Sequence, residues 1–119
     1  LDIYRNKTGR LIAAPPMMAA ALAGKDVDKA EEFGLCLGAL FQLVDDILDA
    51  TGSTAALGKS AGKDAEEDKL TAVKVYGIAG AREHADDAAR RCLQMLHTMT
   101  GAEGGFLADM VGYVRGRDR

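Results

Sequence analysis

Gln42, Asp45, Asp46 and Asp49 stand at positions i, i+3, i+4 and i+7 of one short stretch, Gln42-Leu43-Val44-Asp45-Asp46-Ile47-Leu48-Asp49. On a helix turning 100° per residue these four side chains share a face. Like charges at that spacing destabilise an isolated helix, and these sit in the most apolar helical stretch of the chain. A bound cation relieves the repulsion. Oxygen ligands without His or Cys select Mg²⁺, which keeps several waters and is held by one or two carboxylates plus substrate phosphates. The competing reading is a salt-bridged aspartate cluster at a helix–helix contact. An EF-hand loop is excluded, because its glycine and glutamate positions fall on Ala50 and Ala56.

Two further segments bear on an anion. Leu57-Gly58-Lys59-Ser60-Ala61-Gly62-Lys63-Asp64, followed by Lys69-Leu70-Thr71, combines glycines and lysines, so backbone N–H groups and ammoniums can approach a phosphate closely. A P-loop is excluded: five residues separate Gly52 from Gly58, where the Walker pattern has four, and a helix precedes the segment instead of a strand. Lys7-Thr8-Gly9 directly precedes a predicted helix, where a lysine, a hydroxyl and the helix dipole can hold a phosphate. Each lysine element alone reads as an ordinary solvated loop or a capped helix start. Together with the acidic face they fit a metal-bridged diphosphate site.

Helices must position these groups. Hydrophobic residues make up 48% of the 119-residue chain, with 14 glycines, two prolines and no tryptophan. Small residues and the absence of alternating β-branched runs point to closely packed helices in an all-α bundle. A first helix is expected from about Thr8 to Ala23, ended by Gly24, with Pro15-Pro16 kinking it near Ile12–Ala14 or restarting it. Asp28 and Glu31 suggest a capping box for a second helix over Lys29–Ala50, about 33 Å long, with Phe33, Leu37, Leu40, Phe41, Val44 and Leu48 inward. A loop over Ser53–Asp68, a short helix over Leu70–Tyr76 closed by Gly77, a long helix over Ala79–Met99 and a last one over Phe106–Val114 complete the reading. The tail Arg115–Arg119 is charged.

Net charge is −3 and no basic stripe exists, which excludes a nucleic-acid partner. Cys36 and Cys92 stand singly, without metal-ligand spacing, and favour a reduced, cytoplasmic setting. The run Leu11–Ala23 imitates a signal peptide, but Pro15-Pro16 interrupts it and it is too short to span a bilayer. Leu1 in place of an initiator methionine leads to the expectation that the chain is part of a longer protein.

Gly38-Ala39-Leu40-Phe41 running into Gln42…Asp49 resembles the second aspartate-rich motif, DDxxD, of the trans-isoprenyl diphosphate synthases. Gly58-Lys59…Gly62-Lys63-Asp64 with Lys69-x-Thr71, and Lys7-Thr8-Gly9, match other elements of that family in order and spacing. The resemblance implies helices packed around a deep cavity, usually a homodimer, and Mg²⁺-dependent condensation of an allylic diphosphate with isopentenyl diphosphate. It also implies Asp45 as ligand of a Mg²⁺ that grips the allylic diphosphate, and Asp46 and Asp49 acting directly or through metal-bound water. Lys7, Lys59 and Lys69 would hold diphosphate, while Thr8 and Gln42 would face the developing allylic cation. Three departures stand out. Pro15-Pro16 is foreign to the family's helix, Ala72-Val73 replaces a frequent Tyr-Pro, and the first aspartate-rich motif is absent from these residues. The isolated chain is therefore expected to be inactive, as the C-terminal part of a synthase. A non-catalytic regulatory subunit and a class I terpene cyclase are the alternatives.

Overall fold

The computed structural model describes residues 2–52, 70–101 and 105–118. Among the described residues every regular element is helical, as expected from the composition. The chain opens with α1 (Asp2–Tyr4), a π-helical segment (Arg5–Gly9) and α2 (Arg10–Leu22), which follow one another without a break. After a tight turn at Gly24 come α3 (Val27–Gly52), α4 (Ala72–Thr100) and α5 (Phe106–Gly116).

The long helix α3 lies between α1–α2 on one side and α4 with α5 on the other. Its Phe33, Leu37, Leu40, Val44 and Ile47 are buried, with Ala81, Ala85, Cys92 and Leu96 of α4 and Val111 and Val114 of α5 in the same core. Full burial of one such large apolar side chain contributes about 1.5–3 kcal/mol. The exposed face of α4 carries Arg82, Glu83, Asp86, Asp87, Arg90 and Arg91, as its charge pattern predicts.

Helix ends account for several differences from the sequence reading. The cap of α3 is Asp26, not Asp28: its Oδ1 accepts from the Lys29 backbone N–H at 3.1 Å, and Asp28 falls in the first turn. Pro15 and Pro16 lie inside α2, which runs on through both. The predicted short helix and long helix are the two arms of α4, joined at Gly77, whose φ of 71° breaks the helical backbone. Thr71 caps the first arm by accepting from the Lys74 N–H at 3.2 Å. The expected loop over Ser53–Asp68 lies outside the described residues.

The first helices run antiparallel to α3 at very short range. A Cβ on Gly34 would stand 2.3 Å from the Ala13 Cα, and one on Gly38 would stand 2.4 Å from the Gly9 Cα. No L-residue fits there without moving backbone. Gly38→Ala is accordingly expected to lose at least about 1 kcal/mol of stability, although alanine is the better helix former by about 1 kcal/mol. A urea titration reads this, and a rise in stability would contradict the close approach.

Candidate diphosphate and metal site

The antiparallel register pairs residues whose numbers sum to about fifty, and it builds the site. Tyr4 and Thr8 are one turn apart on the first helical stretch, as are Gln42 and Asp46 on α3. Thr8 donates its hydroxyl to Gln42 Oε1 at 3.1 Å, and Gln42 Nε2 lies 3.5 Å from Asp46 Oδ1. Thr8 and Gln42, expected from sequence to act together, are thus in contact.

The π-helical segment carries Lys7, Thr8 and Gly9, which places this tripeptide inside a helix and not at its N-terminus. The wide turn consumes its amides: Arg10 N–H bonds to the Arg5 carbonyl. The expected anion site of free N–H groups and helix dipole is therefore absent there. Lys7 is exposed, and only its ammonium is left to meet an anion.

The aspartates divide by environment. Asp46 is buried, and the Tyr4 hydroxyl donates to its Oδ2. The Ala72 N–H stands 2.7 Å from the Tyr4 oxygen and 3.2 Å from the same Oδ2. Burial first, then the Asp46 carboxylate, pushes the Tyr4 phenol well above its ordinary pKa, so it stays a hydrogen-bond donor. This cluster ties α1, α3 and the start of α4 together. Asp45 and Asp49 stand clear of it. Asp49 is exposed, while Asp45 is half-buried and Arg117 Nη2 reaches its Oδ1 at 2.5 Å. The Arg117 guanidinium lies 4.2 Å from the Phe41 ring centroid and also donates to the Phe41 carbonyl at 3.2 Å.

Sequence reasoning missed Tyr4 and Arg117. The matched one-turn spacings Tyr4/Thr8 and Gln42/Asp46 were the available signal for the first. Arg117 lies in a tail whose charge suggests solvent, and nothing in the sequence marks its docking. Lys59 and Lys69 lie outside the described residues, although Ala72 fixes the chain three residues beyond Lys69.

The donor set suits Mg²⁺. Asp45 and Asp49 offer carboxylates one turn apart, the hard oxygen donors that Mg²⁺ takes together with water and phosphate. No three His, Cys, Asp or Glu side chains converge to hold a metal among the described residues. Asp46 fits direct ligation poorly, since its oxygens already serve Tyr4, Ala72 and Gln42; a contact through water is the route open to it.

The polyprenyl synthetase family model matches residues 1–103. The chain is 38% identical over 119 residues to the chloroplastic geranylgeranyl pyrophosphate synthase of Capsicum annuum, covering 98% of this chain and 32% of that protein. It is 43% identical over 91 residues to geranylgeranyl pyrophosphate synthase 4 of Arabidopsis thaliana, covering 74% of this chain and 24% of that protein. The chain thus spans about a third or less of the relatives it matches. No described helix is long and apolar enough to cross a membrane. With a family match over most of its length and an all-helical fold, this chain belongs to the polyprenyl synthetase family.

Proposed function

We propose that the protein to which this chain belongs is a Mg²⁺-dependent prenyltransferase that condenses an allylic prenyl diphosphate with isopentenyl diphosphate in isoprenoid biosynthesis. The observation that supports the reading most is the Thr8–Gln42 contact, which brings the first helical stretch onto the α3 face that carries Asp45 and Asp49. Asp45, held by Arg117, and Asp49 share that face with Gln42 while Asp46 is committed to the fold, an arrangement that suits a diphosphate held through metal.

Breaking the allylic C–O bond sends its electron pair to the diphosphate and leaves positive charge spread over the hydrocarbon. Bound Mg²⁺ would neutralise the growing phosphate charge. Asp45 and Asp49 would hold that ion, and the ammoniums of Lys7, Lys59 and Lys69 would meet the leaving oxygens in a preorganised field. The Thr8 and Gln42 oxygens face the cationic carbon; the hydrogen bond that Thr8 donates fixes their direction and, by occupying a lone pair of Gln42 Oε1, lowers the tendency of that oxygen to attack it. Asp46 holds Gln42 and, through Ala72, the chain next to Lys69.

A homodimer in the cytoplasm belongs to the same proposal. Leu11, Met18 and Leu22 form one exposed stripe on α2, 77%, 65% and 89% accessible, which supports a covering surface in the whole protein. The test is an assay of the complete protein with an allylic diphosphate, with and without isopentenyl diphosphate and Mg²⁺. A product one isoprene unit longer, formed only with all three, supports the reading. Cyclised product without isopentenyl diphosphate would indicate a terpene cyclase, and no turnover in the complete protein would indicate a regulatory subunit. The 119-residue chain alone is expected to be inactive.

A further inference from the structure

The two cysteines, distant in sequence and separate in the motif reading, meet across the α3–α4 interface. Cys92 Sγ donates to Cys36 Sγ at 3.2 Å, and Cys36 Sγ in turn lies 3.5 Å from the Ala88 carbonyl. A disulfide needs sulfurs about 2.05 Å apart, so roughly an ångström of approach closes the bond. Their exposures differ. Cys92 is fully buried, whereas Cys36 is half-buried and lines a cleft of about 550 Å³. Arg5, Arg90 and Arg91 line the same cleft together with Asp2, Glu32 and Asp87, so it carries both signs of charge. This cleft sits about a quarter turn around α3 from the Gln42–Asp45–Asp49 face, so it is a separate site.

We infer that Cys36 and Cys92 form a thiol–disulfide exchange site, in which Cys36 attacks a small anionic disulfide of the glutathione type and Cys92 resolves the adduct. The chemistry balances without a metal. The Cys36 thiolate displaces one thiolate from the disulfide and forms a mixed disulfide. Cys92 gives up its proton and displaces the second small thiol, leaving a Cys36–Cys92 bond. Two protein thiols are oxidised and one small disulfide is reduced to two thiols. Arg5 and Arg91, the cations that act on Cys36, can meet the carboxylates of such a reagent, and the three acidic side chains of the cleft its ammonium groups. The arrangement also polarises the pair: the Cys92 hydrogen bond, with Arg91 and Arg5 and against the cost of burial, lowers the Cys36 thiol to about 7. The same contact and burial push Cys92 upward, so Cys36 is the thiol that attacks first, and Cys92 resolves by its position against the Cys36 sulfur.

Treatment of the complete protein with oxidised glutathione at neutral pH, followed by mass analysis and peptide mapping of this segment, tests the site. The unmodified sequence is expected to lose two hydrogens and to yield a peptide joining Cys36 to Cys92. Cys92→Ala is expected to stop at one glutathione on Cys36, and Cys36→Ala to react at least about tenfold more slowly, since its remaining thiol is buried. Oxidation should raise Tm by about 10 °C in the unmodified sequence, because the cross-link ties α3 to α4 across a long loop. Cys36→Ala/Cys92→Ala should show no such rise while keeping its helical circular dichroism. Cross-links only between chains, equal reactivity of the two single variants, or no reaction of the folded unmodified chain would each overturn the assignment. The mapping of the unmodified chain decides the matter even if a variant fails to fold.

Discussion

Asp45→Asn in the complete protein is expected to lower turnover by about 100-fold or more, corresponding to at least about 2.7 kcal/mol of barrier. The substitution keeps an oxygen for Arg117 and removes the charge that a magnesium–diphosphate assembly needs. Asparagine is the cleaner probe than alanine. Arg117 is only 12% exposed, and alanine would strand its guanidinium beside Phe41 as well as removing a ligand. Asp45 is only about a third exposed and Arg117 less, so loss of the charge should also cost about 1–2 kcal/mol of stability. Loss of activity should exceed loss of stability. Steady-state kinetics beside a urea titration measures both. Activity within threefold of the unsubstituted enzyme would remove Asp45 from the metal site.

Asp46 gives the opposite pattern. Asp46→Ala is expected to cost about 2–4 kcal/mol of folding stability with neither metal nor diphosphate present. The Tyr4 hydroxyl would lose its acceptor while remaining buried, and the Ala72 N–H would keep only the Tyr4 oxygen. Tyr4→Phe removes the other half of the contact and should cost about 1–2 kcal/mol. The double substitution should cost less than the sum of the two, since both delete one network. Urea unfolding of all four forms closes the cycle. Additive costs would mean that the two side chains act independently, and the latch between α1, α3 and α4 would be wrong. Turnover of the complete enzyme should fall too, through misplacement of Gln42 and of the chain leading from Lys69.

The particular residues show why part of this was legible in sequence and part was not. Periodicity gives most of the core stripe of α3: Phe33, Leu37, Leu40 and Val44 are buried, but Phe41 and Leu48 are half-buried and Leu43 and Ile47 join the core in addition. Gly24, Gly77 and Gly101 mark breaks that their positive φ values explain. Capping was harder: Asp26 and Asp28 are both good caps, and the choice depends on where the turn after Gly24 leaves the chain. Pro15 and Pro16 misled, since lost hydrogen bonds need not break a helix that α3 supports along its length.

At the site, the Gln42–Asp49 face was visible as a pattern, and Thr8 facing Gln42 came from family resemblance. The different duties of Asp45 and Asp46 were invisible. Adjacent identical residues carry no local signal of which one a distant tyrosine will meet. Only the antiparallel register of the first helices on α3, set by the close approach at Gly34 and Gly38, assigns Tyr4 to Asp46. Likewise Arg117 reaches Asp45 because α5 returns along α3, a tertiary fact with no sequence counterpart.

Calorimetric titration of Mg²⁺ into the complete protein with an unreactive allylic diphosphate analogue tests the central claim most directly. Beside it, the same titration is run on Asp45→Asn/Asp49→Asn. The account predicts diphosphate-dependent Mg²⁺ binding that weakens at least tenfold, about 1.4 kcal/mol, in the doubly substituted protein. Equal affinity in the two proteins would contradict it.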